Sequence, residues 1–406
     1  MREKENILPL SALLSKLLVA YTVELDNKFE LQMSREGFPG ARLSLVMWLN
    51  VIRFIPPEGV TFRDLTTHYL GSRESLKLQL GCLERWRFIE FDQDSPFPKD
   101  RDPKKNSYIT SGRRRGWGTG QGITLDWIIK LKASGKKAVS IWPNLISEVD
   151  DLWERRFKEG EADQLRQSLR NIADKFSLDL PWGLWPDLEI MESESFHHRS
   201  GATDENLPLP ALLSQVLLKY ALDFDRKSRV SLGLCANVIR VLGKNPVKAA
   251  ELPALTGGSS EASDIGWRLK PFVFVQNDPS GARGKSIRLS ELGSRTQENY
   301  YRITGEVEKD WETKYGSVAV KDLRRSLERM LGERNVGIST LSQGLVPPEG
   351  VARAGAPIPA LGRKDMGPAG RRRVRDLVNQ TKRFVEDPEN SLPHYPSWDM
   401  NRGFGP

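Results

Sequence analysis

Apolar residues fall in one periodic pattern twice along the chain. Leu10, Leu13, Leu14, Leu17, Leu18 and Tyr21 step by three and four residues, which places them on one stripe of an α-helix. Leu209, Leu212, Leu213, Val216, Leu217 and Tyr220 repeat that stripe. Pro9 and Pro208 stand near the N-terminal turns, where a missing N–H does no harm. A second helix is predicted over 43–54 and again over 232–242. A short segment (60–65 or 247–252), a turn, and a helix starting after Gly71 or Gly258 come next. Phe88-Ile-Glu-Phe91 and Phe272-Val-Phe-Val275 are alternating or apolar enough to be strands, and each is answered, after a polar loop, by a strand at 129–131 or 287–289. Two long helices close each copy, over 134–156 with 162–173 and over 290–315 with 318–331. The predicted order is helix, helix, helix-turn-helix, two-stranded wing, helix, helix.

The repeat is visible residue by residue. Leu8-Pro-Leu-Ser-Ala-Leu-Leu-Ser15 reads against Leu207-Pro-Leu-Pro-Ala-Leu-Leu-Ser214, and Asn50-Val-Ile-Arg53 against Asn237-Val-Ile-Arg240. Later, Leu131, Gly135, Trp153-Glu154 and Ser168-Leu169 match Leu289, Gly293, Trp311-Glu312 and Ser326-Leu327. The first copy carries extra residues around 30–42 and again in its wing loop. The organisation read from this is a first module over 1–175 with an enlarged wing at 94–127, a linker over 176–206, and a second module over 207–332. A Pro- and Gly-rich tail follows over 333–406, with a basic amphipathic helix near 371–386. The expected fold class is mainly α with small β wings. The segment 7–20 has the apolar character of a signal peptide, but its recurrence at Leu207 assigns it to the fold.

Composition narrows the class without deciding it. The chain has 406 residues, 38% hydrophobic and 28% charged, which suits a soluble protein of two or three cores and has no stretch suited to a membrane span. Lys+Arg 61 against Asp+Glu 53 gives a net +8, a mild bias toward polyanionic partners. The two cysteines, Cys82 and Cys235, sit in apolar segments and form no pair motif, which argues against a disulfide framework or a zinc site. The four histidines are scattered, and no nucleophile-elbow, phosphate-loop or dinucleotide fingerprint occurs in its proper context. No enzyme activity, cofactor or metal is expected.

The junctions Leu131-Lys-Ala-Ser-Gly135 and Leu289-Ser-Glu-Leu-Gly293, taken with the order of elements, resemble the MarR family of transcription regulators. An LTxxG junction follows the wing in that family, and each copy departs from it at the second position, with Lys132 and Ser290. The resemblance covers about 8–173 and 207–331. It implies two winged helix-turn-helix modules joined through their first and last helices, here as a pseudo-dimer within one cytoplasmic chain. It also implies sequence-specific binding of double-stranded DNA, with regulation by a small phenolic effector as an option.

In a helix-turn-helix the second helix enters the major groove. The residues so placed are Ser72, Arg73, Ser75, Lys77 and Gln79 in the first copy and Ser259, Ser260 and Ser263 in the second. Arg73 and Lys77 lie four apart, on one face. The first wing adds Arg113, Arg114 and Arg115 among glycines, a composition suited to a narrow minor groove, and the second wing adds Arg283 and Lys285. Glu74 and Glu261 suit a first helical turn rather than base reading. Trp153 and Trp311 occupy matching places on the penultimate helices, where two readings compete: the wall of an effector pocket, or core packing. The second copy is less basic, with Asp264 in its recognition stretch. That asymmetry also admits a winged-helix scaffold for protein contacts or ligand sensing with little affinity for DNA.

Overall fold

The computed structural model describes residues 8–38, 41, 43–92, 125–184, 207–243, 245–248, 270–277 and 285–331. It is mainly helical with two small antiparallel sheets. The first copy runs α1 (Leu10–Arg35), α2 (Leu45–Asn50), a 3-10 turn (Ile52–Phe54), β1 (Val60–Thr61), α3 (Phe62–His68) and α4 (Arg73–Arg85). Then come β2 (Ile89–Phe91), β3 (Ile128–Leu131), α5 (Ala133–Arg156) and α6 (Glu161–Ala173). The second copy runs α7 (Leu209–Asp225), α8 (Leu232–Leu234) passing into a π-helical turn (Cys235–Ile239), and β4 (Val247–Lys248). It ends with β5 (Val273–Asn277), β6 (Lys285–Leu289), α9 (Glu291–Tyr315) and α10 (Ser317–Leu331).

Three features depart from the sequence pattern. Each wing sheet has three strands, not two: β1 pairs antiparallel with β3 (Val60 opposite Ile129) and β4 with β6 (Val247 opposite Ile287), giving the orders β1-β3-β2 and β4-β6-β5. A two-residue strand is too short to show alternation in sequence. The helix predicted over 43–54 stops at Asn50, because Val51 turns to φ −133°, ψ −63°, outside helical space. Where the first copy tightens into a 3-10 turn its counterpart widens: the Arg240 N–H donates to the Cys235 carbonyl at 2.8 Å, the five-residue spacing of a π turn. Third, α1 continues to Arg35, about two and a half turns beyond the end of its counterpart's register, and so absorbs part of the first copy's extra length.

The strand-to-helix junction is built the same way in both copies. The Lys132 N–H donates to the Phe88 carbonyl at 2.9 Å, and the Ser290 N–H to the Phe272 carbonyl at 2.8 Å. The first turn of the following helix lies so close that a Cβ on Gly135 would fall 2.1 Å from the Phe88 oxygen, and one on Gly293 would fall 2.0 Å from the Phe272 oxygen. The junction glycines are therefore steric requirements of the wing's attachment.

The two copies meet through their terminal helices. α1 packs on α7, α6 on α10, and crosswise α1 on α10 and α6 on α7. Ser168 and Ser326, matching positions of the repeat, face one another with their hydroxyl oxygens 3.3 Å apart. A residue touching its own equivalent is what an approximate two-fold axis produces. Most of the core is continuous across this junction, from Leu14, Leu17 and Leu18 of α1 to Leu213, Leu217 and Tyr220 of α7, all buried. A smaller core of Ile239, Leu242, Val273, Ile287 and Leu289 supports the second sheet. The predicted linker begins as part of the body: Phe176, Leu180 and Leu184 are buried, while 185–206 lie outside the described residues.

Candidate nucleic-acid interface

The corner between α3 and α4 is fixed by caps and a buried polar cluster. The Thr61 hydroxyl accepts the Asp64 N–H at 3.0 Å at the start of α3, and Ser72 Oγ accepts the Ser75 N–H at 3.1 Å at the start of α4. Tyr69 ends α3 and turns inward. Its phenol oxygen lies 2.8 Å from Ser75 Oγ and accepts the Gln79 side-chain N–H at 2.5 Å. The Tyr69 ring also occupies the space above Gly71, where a Cβ would meet it at 2.7 Å. Below the cluster Leu76, Leu80 and Leu83 are fully buried, so this face of α4 is held against the module.

These positions divide the expected base-reading residues. Ser75 and Gln79 are buried, 4% and 0% exposed, and bonded to Tyr69, so neither can reach a groove. They correct the sequence expectation: residues 75, 76, 79, 80 and 83 share one helical face, and that face is the core. Ser72 acts first as the cap of α4 and is half-buried. Arg73 is exposed at the N-terminal end of α4 and Lys77 is half-buried at the edge of the packed face. Lys285 is exposed at the start of β6, opposite Asn277. Arg113, Arg114, Arg115, Ser259, Ser260, Ser263 and Arg283 lie outside the described residues, as does the tail with its predicted basic helix.

Cations at the base of the first wing are already paired. Lys130 meets Asp92 at 2.5 Å, Lys132 meets Glu90 at 3.0 Å, and Arg63 of α3 meets Asp126 at 3.0 Å. They shape the wing more than they charge it.

Trp153 and Trp311 are 0% and 1% exposed core residues. The Trp153 indole N–H donates to Glu24 at 2.8 Å, and the same carboxylate receives both guanidinium nitrogens of Arg156 at 2.7 and 2.9 Å. The Trp311 indole N–H donates to Asp223 at 3.0 Å, which also pairs with Lys219 and Arg226. Their polar edges are satisfied and their rings packed, which decides between the two readings for core packing and against an effector wall. Glu24 and Asp223 match in the repeat, so the acceptors were detectable as paired acids on two otherwise apolar stripes.

Two further matched acids cap the next helix. Asp26 accepts the Leu45 N–H at 2.9 Å and Asp225 the Leu232 N–H at 2.8 Å. Burial pushes the Asp225 carboxyl up to about 6, and raises Asp26 well above the usual range, with Glu30 adding repulsion. Tyr21, bonded to Asp150 at 2.7 Å, is raised by burial and then by that carboxylate. Among the described residues no cluster of histidine, cysteine and carboxylates is arranged for a metal, and no helix is long and apolar enough to cross a membrane.

No protein-family model, curated protein or solved structure matches the chain.

Proposed function

We propose that this chain binds double-stranded DNA and regulates transcription through two winged helix-turn-helix modules that act as an intramolecular pseudo-dimer of the MarR kind. The observation that carries the reading is the α3–α4 corner. Its polar cluster and leucines hold one face of α4 to the module and leave Arg73 exposed in the first turn, with Lys77 at the edge of the packed face one turn on, which sets two cations at the N-terminal end, where a groove-entering helix meets base edges. The attached three-stranded sheets and the reciprocal packing of α1, α6, α7 and α10 support the pairing of modules. Differing recognition segments make the preferred site asymmetric, with half-sites about one helical turn apart. In this reading the protein is a cytoplasmic, non-catalytic regulator, and an effector would have to bind elsewhere than against Trp153 or Trp311.

Genome-fragment selection with the full chain, followed by gel shift and footprinting at low salt, tests it. A footprint of two unequal halves supports the proposal, and absence of duplex binding overturns it. The second reading, a winged-helix scaffold for protein contacts, draws on the ion pairs of Lys130, Lys132 and Arg63, which quench charge where a DNA-binding wing would display it.

A further inference from the structure

The segment between the copies runs across α2 and the 3-10 turn that lead into the first helix-turn-helix before it leaves the body. Lys175 Nζ donates to the Tyr315 carbonyl at 2.5 Å, and the Phe176 ring meets the Tyr315 ring edge-on at 5.8 Å, so the segment starts on α9 of the second copy. Gln215 of α7 then donates to the Leu180 carbonyl at 2.8 Å. Next, the Asn50 side chain pairs with the Gly183 backbone in both directions, donating to its carbonyl at 2.8 Å and accepting its N–H at 2.9 Å. Between these anchors the Trp182 ring lies 3.5 Å from the Arg53 guanidinium, which also lies 4.0 Å from the Phe54 ring and donates its Nε–H to the Leu49 carbonyl at 2.5 Å. Phe54 in turn stacks on His68, with centroids 5.3 Å apart and planes 11° from parallel. His68 is the last residue of α3, next to Tyr69 of the corner cluster.

We propose that residues 176–184 form a strap whose Trp182–Arg53–Phe54–His68 stack positions the first helix-turn-helix on the helices of the second copy. Trp182 and Arg53 are then positioning residues for DNA binding, so the inference rests on the function proposed above for its consequence, though not for its geometry. Guanidinium–aromatic stacking is directional and suits the purpose: a planar cation between two rings fixes orientation as well as distance. Among the described residues the device occurs once. Arg240 stands where Arg53 does in the repeat, but Val241 replaces Phe54, and the spacing that relates Trp153 to Trp311 puts Thr340 and Leu341 where the first copy has Trp182 and Gly183. Residue identity alone denies the second copy an equivalent stack. The first module is held in a set orientation, and the second is not held by this means.

Hydrogen exchange of the full chain, read by mass spectrometry, tests the strap without needing DNA. Trp182→Ala should speed exchange over 61–70 by roughly three- to tenfold, the range expected when such stacking is removed. Trp182→Phe, which keeps a ring on the guanidinium, should restore slow exchange. Arg53→Lys, which keeps the charge and loses the planar stack, should behave like Trp182→Ala and serves if that variant does not fold. Duplex affinity should fall by a similar factor in Trp182→Ala and recover in Trp182→Phe. If exchange changes only over 43–54 and 209–225 while 61–70 stays protected, the strap merely packs helices and the proposal fails. If exchange responds as expected but neither wild type nor variant binds duplex, the strap stands and the regulator reading falls.

Discussion

Replacing Gly293 by Ala adds one methyl group at the point where α9 leaves the second wing. That Cβ would sit 2.0 Å from the Phe272 carbonyl oxygen, whereas a carbon and a carbonyl oxygen in contact keep about 3.3 Å. The oxygen belongs to backbone and is already engaged by the Ser290 N–H at 2.8 Å, so relief requires the sheet to move off the helix by roughly 1 Å or more. Overpacking of this kind costs about 1–3 kcal/mol, and weakening the hydrogen bond adds about 0.5–1.5 kcal/mol. Against these stands a gain of up to about 1 kcal/mol for Ala over Gly within a helix. The expected net destabilisation is about 2 kcal/mol, the middle of a range of about 0.5–3.5 kcal/mol. Gly305, in the same helix and exposed, has no atom within 4 Å of a built Cβ, so Gly305→Ala should stabilise by up to about 1 kcal/mol. Urea unfolding of the two variants beside wild type measures both. Opposite signs are required; if Gly293→Ala unfolds within about 0.5 kcal/mol of wild type, the close-approach argument for both junctions is wrong.

Arg73→Ala should lower duplex affinity by about 1–3 kcal/mol in a gel shift with little change in melting temperature, whereas Gln79→Ala should lower melting temperature by unpinning Tyr69. An equal loss of affinity without loss of stability in Gln79→Ala would contradict its buried placement. Asp225 binds its proton more tightly folded (about 6) than unfolded (3.8), so its contribution to stability falls as pH rises through that window and stays reduced above it, by about 3 kcal/mol at most. Asp225→Asn keeps an acceptor for the Leu232 N–H without the charge, so the variant should gain on wild type between pH 4 and pH 7 in thermal melts; a pH-independent difference would refute the assignment. Trp153→Phe should cost about 1–3 kcal/mol, because it leaves Glu24 buried with one donor group fewer, and a neutral result in thermal or urea unfolding would show that Arg156 alone satisfies the carboxylate.

The order of elements was legible because the pattern occurs twice, and a weak strand in one copy is vouched for by its stronger twin. Val60–Thr61 escaped because two residues carry no period, and the breaks at Val51 and in Cys235–Ile239 escaped because apolar spacing there fits a helix as well as it fits a 3-10 or π turn. At the candidate interface residue type misled: Ser75 and Gln79 look like groove-reading side chains, but the leucines at 76, 80 and 83 already placed them on the buried face. The strap was half legible. Pro181-Trp182 is a pair suited to packing on a folded body, but its partner, Arg53, sits in a segment whose apolar neighbours give no sign of a stacked cation.

Where two copies lie in one chain, symmetric contacts and asymmetric ones can be told apart by whether both members of a matched pair take part. Ser168 with Ser326, Asp150 with Arg166 (3.1 Å) beside Glu308 with Arg324 (2.7 Å), and the two indole–carboxylate bonds are shared, and each stabilises the platform in both halves. Other contacts occur once among the described residues. Glu308 accepts the Leu10 N–H at 2.7 Å and Arg324 donates to the Leu8 carbonyl at 2.9 Å, so the second copy caps the start of α1. The strap contacts, by contrast, reach the first helix-turn-helix alone, through Arg53 and the Phe54 ring stacked on His68. In a homodimer any substitution appears on both sides of the axis, and an unequal hold on one module is not available to it. A joined pair removes that restriction. The two uses then separate by residue class: matched residues build the platform, and unmatched ones such as Trp182 and Phe54 set how firmly the first unit is held.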